Sequence, residues 1–102
     1  MDFTTQTEGA RGTVKLSGGF TFDAAAAFNR LTQALMADGV ISKLCLDFSG
    51  VTHLESSALG VLLLLREQAE AKGIKICVLK PNAKVRATLD GVRFGTIFEI
   101  QD

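Results

Sequence analysis

A carboxylate and two adjacent hydroxyls stand where an apolar, strand-like run gives way to a leucine-rich segment. Glu55, Ser56 and Ser57 follow the apolar residues of 44–48 and precede those of 59–65. The N–H groups at the N-terminus of a helix lack intrahelical acceptors and favour an anion, so they would accommodate a phosphate on either serine. That phosphate would also add about −1.5 to −2 charges beside the Glu55 carboxylate. The pattern therefore predicts a surface whose charge and hydration change when one serine is phosphorylated.

The same serines also fit two other interpretations. Serine is a common N-cap residue, and two serines before an apolar run are often only the start of a helix. Ser56 as an enzyme nucleophile is disfavoured, because the segment lacks the G-x-S-x-G elbow and the single histidine, His53, lies in a predicted loop. The glycine-rich phosphate loops G-x-G-x-x-G and G-x-x-x-x-G-K-S/T do not occur in the sequence. We therefore predict no catalytic residue and no enzymatic activity.

The overall composition excludes several kinds of partner. The 102 residues include 11 basic and 11 acidic side chains, so the formal net charge at pH 7 is zero. Electrostatic binding to DNA, RNA or an anionic membrane needs an excess of Lys and Arg, which this sequence does not have. The longest run of large apolar residues, 61–65, is far shorter than the roughly 20 residues of a membrane span. Since the N-terminus also lacks a signal sequence, we expect a cytoplasmic protein with one domain over residues 1–102.

The cysteines do not form a recognisable metal site. Cys45 and Cys77 lie in separate apolar runs without a C-x-x-C pair, and His53 is the single histidine. A zinc site requires a closely spaced set of such ligands, so we predict no metal. Each cysteine is expected to be a reduced and buried apolar residue, because lone cysteines in apolar runs of cytosolic proteins usually behave in this way.

The hydrophobic periodicity predicts an α/β domain with the element order β-β-α-β-α-β-α-β. Alternation of apolar and polar residues indicates two short strands within residues 1–17, after which the spacing becomes that of a helix. Right-handed helical crossovers between the later strands imply a mixed, mostly parallel central sheet of about four or five strands with three or four helices. The remaining predicted elements are a helix over 23–38, a strand over 41–48, a helix over 56–72, a strand over 74–79, a helix over 82–91 and a strand over 96–100.

Local signals mark the predicted ends of these elements. Thr21 or Asp23 is expected to cap the first helix by accepting backbone N–H bonds, and Gly39 suits the left-handed position after its end. Ser49 and Gly50 are expected to end the strand that begins near residue 41, because both residues favour turns.

The leucine-rich helix is apolar around most of its circumference. A helix of this kind is usually buried on several sides within a core. The alternative is that Val61 and Leu64 are exposed and form part of a docking patch.

Four stretches of the sequence carry a resemblance to a known family. Glu-Ser-Ser-Ala-Leu-Gly, residues 55–60, resembles the signature of STAS domains and, more narrowly, the motif Asp-Ser-Ser/Thr-Gly/Ala-Leu-Gly of bacterial anti-sigma factor antagonists. Residues 16–23 resemble the glycine-containing turn before the first helix of the family, residues 44–47 its central strand and residues 85–98 its closing segment. The resemblance covers nearly the whole chain and implies the STAS fold.

The resemblance implies a partner-switching function. An unphosphorylated antagonist binds an anti-sigma factor and thereby frees the sigma factor. The anti-sigma factor is often a serine kinase that phosphorylates the first serine of the motif and so ends the complex, and a PP2C-type phosphatase restores the active form. By position the acceptor here is Ser56, with Ser57 as the second choice. ATP and Mg²⁺ would belong to the kinase, so no cofactor is expected on this chain, which we expect to be a monomer.

The residues expected to bind the partner are those around the motif and the turn. Glu55 stands where the family usually has Asp, and Ala58 replaces the commoner Gly. The alternative function is that of a non-phosphorylated structural STAS subunit in a larger assembly, such as a lipid-transport ATPase, in which Ser56 would serve only as a helix cap. The expected partner-binding residues are Thr21, Asp23, Glu55, Ser57, Leu59 and Gly60.

Overall fold

One five-stranded sheet organises the chain. The computed structural model describes residues 1–37, 39–91 and 98–101. Its strands are β1 (Asp2–Glu8), β2 (Arg11–Phe20), β3 (Lys43–Leu54), β4 (Lys75–Leu79) and β5 (Glu99–Gln101). A 3-10 turn (Phe22–Ala24) leads into α1 (Ala25–Ala37), while α2 (Ser56–Ala71) follows β3 and α3 (Ala83–Gly91) follows β4. The strands are ordered β1-β2-β3-β4-β5, with β1 antiparallel to β2 and the other pairs parallel. The predicted fold class and element order are confirmed.

Two predicted element ends fall partly beyond what the structure describes. Residue 38 of the first predicted helix, and residues 96 and 97 of the last predicted strand, lie outside the described residues. Gly39 has a φ of 72°, which is the left-handed backbone predicted for it.

The helices cover one face of the sheet. The connections from β2 to β3, from β3 to β4 and from β4 to β5 all run toward the same edge of the sheet. Because such crossovers are right-handed, α1, α2 and α3 lie on the same face. Alternate strand residues face these helices, and the Phe20 ring packs edge-on against Phe28 of α1 with 5.0 Å between centroids. Burying each large apolar side chain contributes about 1.5–3 kcal/mol, so this face is the main source of stability. The large apolar strand residues buried on this face are Val14, Leu16, Phe20, Leu44, Leu46, Phe48, Val51, Ile76 and Val78.

The third strand is longer than the sequence predicts, and it is bulged. Ser49 and Gly50 do not end β3, which continues to Leu54. Residues 15–17 of β2 pair with residues 47–50 of β3, so β3 contains one residue more than β2 over this stretch. A second extra residue of β3 lies opposite residues 18–19 of β2. Bulges of this kind bend a strand without ending its pairing. The prediction of a break at this point is therefore wrong, and so is the prediction of a loop around His53, which lies within β3.

A side-chain carboxylate stabilises the first bulge. Asp47 Oδ1 accepts a hydrogen bond from the backbone N–H of Ser49 at 2.9 Å. Partial burial of Asp47 opposes its ionisation, but hydrogen bonds from Ser49 and the charges of Lys15 and Lys80 outweigh this, so the pKa of Asp47 lies below 3.8. The N–H that the bulge removes from the strand ladder is thus paired locally.

Asn82 joins the bulged half of β3 to the last helix. Its Oδ1 accepts a hydrogen bond from the backbone N–H of Val85 at 2.8 Å, which is an N-cap interaction. Its Nδ2 donates to the carbonyl oxygen of Val51 at 2.8 Å. The predicted role of Asn82 as the residue that opens the short helix is confirmed, and the second bond also fixes where this helix meets the sheet.

The two cysteines lie side by side on the face of the sheet opposite to the helices. Cys45 and Cys77 are Cα partners in the β3–β4 register, and both are buried free thiols. A salt bridge of 3.3 Å between Lys43 of β3 and Glu99 of β5 reaches across the intervening β4. The expected burial of both cysteines is confirmed, although on the face that the helices leave uncovered.

The buried thiol of Cys77 predicts a loss of stability at alkaline pH. Burial, reinforced by Cys45 and Glu99, raises the pKa of Cys77 from 9.0 to about 11. A folded-state pKa above the unfolded value gives stability that is complete below pH 9 and is lost as the pH rises from 9 to about 11. We expect urea denaturation at a series of pH values to show this decline, and Cys77→Ala to make it shallower. Parallel pH profiles for the two proteins would contradict the prediction, because they share every other titrating group.

Candidate functional site

The motif and the 3-10 turn meet where β2 and β3 end. The glycines that the sequence places in a turn, Gly18 and Gly19, lie within β2. Phe20 and Leu54 are Cα partners at the last position of the β2–β3 register. The backbone N–H of Glu55 then donates to the carbonyl oxygen of Phe20 at 3.0 Å. Because the carboxyl ends of parallel strands lie at the same edge of a sheet, residues 21–24 come to lie beside the start of α2. The structure thereby brings together two segments that are far apart in the sequence.

Glu55 connects these two segments through its side chain. Its Oε1 accepts a hydrogen bond from the backbone N–H of Phe22 at 3.1 Å and another from the hydroxyl of Ser57 at 3.3 Å. Glu55 occupies the N-cap position of α2 with an extended backbone, but its side chain makes no bond to that helix's N–H groups. Its carboxylate instead pairs the first N–H of the 3-10 turn, 33 residues away in the sequence.

The predicted helix caps are wrong at this site. Thr21 occupies the N-cap position of the 3-10 turn without a side-chain cap bond, and Asp23 lies inside the turn. The residue that pairs an N–H of this turn is Glu55, which sequence reasoning could not assign because the bond is not local. Ser56 is the first residue of α2 and not its N-cap. A cap role for Ser56 is therefore excluded by its position.

The two serines differ in their surroundings. Both are exposed in the first turn of α2. Ser57 donates its hydroxyl to Glu55, whereas Ser56 Oγ makes no hydrogen bond within residues 1–37, 39–91 and 98–101. The N–H groups at the start of α2 have no carbonyl a full turn earlier in the helix, so they carry the partial positive charge of a helix N-terminus. Ser56 thus presents a free hydroxyl beside donors suited to an anion.

The remaining predicted partner-binding residues lie along the first turns of α2. Leu59 is half-buried and packs against the core, whereas Gly60 is exposed. A Cβ on Gly60 would meet nothing within 4 Å, so the packing of this chain does not require glycine there. Ala58, which replaces the commoner Gly of the motif, is fully buried.

An apolar groove beside the motif was only partly foreseen. Leu62 and Leu65 of α2 are buried, whereas Leu64 is 49% exposed. Leu64 and the half-buried Val61 of α2 line a groove of about 310 Å³, and Phe22 of the 3-10 turn lines it as well. Phe22 is 69% exposed, and no periodic pattern in the sequence singles it out. The predicted exposure is confirmed for Leu64 and is wrong for Val61, which is half-buried. Phe22 is the groove residue that the sequence pattern does not indicate. The rest of the lining is Ala25, Ala26 and Asn29 of α1.

His53 has a packing contact and no companion ligands. Its imidazole lies over the backbone of Gly19, where any Cβ would collide with the ring. Its Nδ1 is 3.3 Å from the hydroxyl of Thr52. Within the residues that the structure describes, no group of three or more His, Cys, Asp and Glu side chains is arranged to hold a metal ion.

Comparison with known proteins assigns the chain to a family. The family described as "Mlab, STAS domain" matches residues 3–99. The chain belongs to the STAS domain family. A STAS-domain containing protein of Pseudomonas aeruginosa (strain UCBPP-PA14) is 30% identical over 93 residues, which are 91% of this chain and 90% of that protein.

Solved structures of other proteins share the STAS fold of this chain. An anti-sigma factor antagonist from Mycobacterium paratuberculosis matches with a TM-score of 0.86 and 20% identity, over 98% of this chain and 84% of that one. The anti-sigma factor antagonist SpoIIAA in its unphosphorylated form matches with a TM-score of 0.78 and 18% identity, over 99% and 88%. The Bacillus cell fate determinant SpoIIAA in the phosphorylated form matches with a TM-score of 0.75 and 16% identity, over 97% and 90%. At these identities the likeness establishes a common fold.

None of the helices in the described part of this STAS domain is both long enough and apolar enough to cross a membrane.

The position of Ser56 predicts that it contributes little to stability. We expect Ser56→Ala to change the free energy of unfolding by no more than about 0.5 kcal/mol, because its hydroxyl is exposed and unbonded. Glu55→Ala should cost about 1 kcal/mol, since it removes the acceptor of two hydrogen bonds. Urea denaturation of both variants measures the contrast. A loss of 1 kcal/mol or more for Ser56→Ala would contradict the prediction.

Proposed function

We propose that this STAS domain is an anti-sigma factor antagonist that acts by partner switching. It binds an anti-sigma factor while Ser56 is unmodified and releases it when Ser56 is phosphorylated. The observation that supports this most strongly is the free, exposed hydroxyl of Ser56, the first serine of the motif, at the N-terminus of α2. The fold shared with SpoIIAA, which has been solved in an unphosphorylated and a phosphorylated form, is consistent with it.

The chemistry of the switch is a phosphoryl transfer between proteins. The γ-phosphoryl group of ATP forms a bond to Ser56 Oγ as its bond to ADP breaks, and the hydroxyl proton passes to a base of the kinase. Hydrolysis by a PP2C-type phosphatase returns the hydroxyl and releases inorganic phosphate. ATP and metal ions belong to these enzymes, so this chain needs to present only the serine.

The electrostatic change at the motif explains why phosphorylation would end binding. The N–H groups at the start of α2 stabilise the new phosphate, while the Glu55 carboxylate beside it is repelled. A chain with a formal net charge of zero would carry about −2 at this one point. A partner surface that complements the unmodified motif would then face an unpaired phosphate dianion, which costs binding energy unless a new cation is supplied.

The proposed partner-binding surface consists of the motif and the adjacent turn. Asp23, Glu55, Ser57 and Gly60 are exposed, so their side chains or backbone are accessible to a partner. Thr21 and Leu59 are half-buried and would contribute mainly by supporting the turn and the helix. These six residues surround Ser56 at one end of the sheet.

Phosphorylation in vitro tests this function. The purified chain is incubated with ATP and the anti-sigma factor kinase of the bacterium that encodes it, and modification is mapped by mass spectrometry. We expect a single phosphate on Ser56, no phosphate on Ser56→Ala, and a phosphate still on Ser56 in Ser57→Ala, which tests whether the second serine is the acceptor. Ser56→Ala should remain bound in the presence of ATP, and Ser56→Glu should bind at least about tenfold more weakly. ATP-dependent release of Ser56→Ala would refute the switch.

A second candidate is a structural STAS subunit of a larger assembly, such as a lipid-transport ATPase, that is never phosphorylated. It is favoured by the matching family's description, "Mlab, STAS domain", which names no anti-sigma factor. In this case Ser56→Glu and Ser56→Ala would co-purify equally with transporter subunits from the native cell. Loss of that assembly in Ser56→Glu alone would count against the structural role.

A further inference from the structure

Two of the largest exposed apolar side chains meet in one groove. Phe22 is 69% and Leu64 49% exposed, and both line the groove described above. Two alanines of α1 contribute to its lining, so an incoming side chain can approach the helix backbone closely. Burying a large apolar side chain is worth about 1.5–3 kcal/mol, and buried aromatic residues often dominate the energy of an interface. The groove therefore has the composition of an anchor site for a partner.

The groove is continuous with the proposed switch. Val61 and Leu64 belong to the same helix that Ser56 begins, and at 1.5 Å per residue Leu64 lies about 12 Å along its axis from Ser56. The turn that carries Phe22 is also connected to the motif, because the backbone N–H of Phe22 donates a hydrogen bond to the carboxylate of Glu55, the residue next to Ser56. A protein that contacts Ser56 closely enough to be displaced by its phosphate would also cover this groove.

Glu55 makes the groove sensitive to the state of Ser56. A single oxygen, Oε1, accepts the bonds from both Phe22 and Ser57. A phosphate on Ser56 would repel this carboxylate and compete with it for the Ser57 hydroxyl. Loss of the bond to Phe22 would release the turn that carries the aromatic side of the groove.

We infer that an apolar side chain of the anti-sigma factor docks between Phe22 and Leu64, and that Glu55 is the positioning residue that couples this groove to phosphorylation of Ser56. The inference rests on the proposed function and deepens it. One modification acts twice, by changing the charge of the motif and by releasing one side of the docking groove.

Affinity measurements with the unphosphorylated chain and the purified anti-sigma factor kinase test the groove. We expect Phe22→Ala and Leu64→Ala each to weaken binding about tenfold or more. Leu63→Ala is the matched control, because Leu63 is exposed on the same helix but does not line the groove, and it should stay within about twofold. Circular dichroism checks that each variant is folded.

The outcomes separate the groove from the switch. If Ser56→Glu prevents binding while Phe22→Ala and Leu64→Ala bind normally, the proposed function stands and the groove is refuted. If the kinase binds none of the proteins, including the unsubstituted chain, the proposed function fails first. If sedimentation shows a dimer of the unsubstituted chain that Phe22→Ala abolishes, the occupant is a second copy and the inference is overturned.

A double-mutant cycle and amide exchange test the role of Glu55. Glu55→Ala should weaken binding on its own but add little in a Phe22→Ala background, because both changes remove the same side of the groove. Glu55→Asp shortens the side chain by one methylene and is expected to behave like Glu55→Ala if the bond to Phe22 is what matters. The Phe22 amide should exchange with solvent several-fold faster in Glu55→Ala and in the chain carrying phosphoserine at position 56. Additive effects, or an unchanged Phe22 amide in the phosphorylated chain, would refute the coupling.

Discussion

The parallel pairing of β2 with β3 is the constraint on which the rest of this structure depends. β3 lies between β2 and β4, and its helix-facing side chains Leu44, Leu46 and Phe48 are all buried. The pairing extends through two bulges to the partners Phe20 and Leu54. Since the chain leaves both strands at this point, the pairing alone decides that the 3-10 turn lies against the start of α2. The candidate site is a consequence of strand register more than of local sequence.

The extension of β3 depends on small residues and on hydrogen bonds made by side chains. A Cβ on Gly50 would lie 2.8 Å from the carbonyl oxygen of Leu16, so the close approach of the two strands requires glycine there. Asp47 pairs the N–H of Ser49 at the bulge, and Asn82 pairs the carbonyl of Val51 beyond it. These bonds replace ladder interactions that a bulge interrupts.

The same features show what could be predicted from the sequence and what could not. The α/β order and the strongest helix followed from apolar periodicity, because burial on one face imposes a fixed spacing. The prediction that Ser49 and Gly50 end a strand is wrong, because bulges and turns use the same residue types. What distinguishes them is the pairing with a neighbouring strand, which the sequence of β3 alone does not show. The residues of the motif indicate the site, but they do not indicate Phe22, because Phe22 is bonded to the motif by Glu55 from a position 33 residues away.

The residues that stabilise the fold are not those that we propose to act in the switch. The core packs on the helix-facing side of the sheet, where each large buried side chain contributes about 1.5–3 kcal/mol. Ser56 takes no part in that core, and the two hydrogen bonds that the exposed Glu55 accepts together contribute about 1 kcal/mol. In the proposed switch, a phosphate on Ser56 would therefore need to outweigh only the bond between Glu55 and Phe22, and not the energy that holds the sheet together. Because the core is so much more stable than these hydrogen bonds, phosphorylation of one hydroxyl would alter a surface of the domain and leave its fold intact.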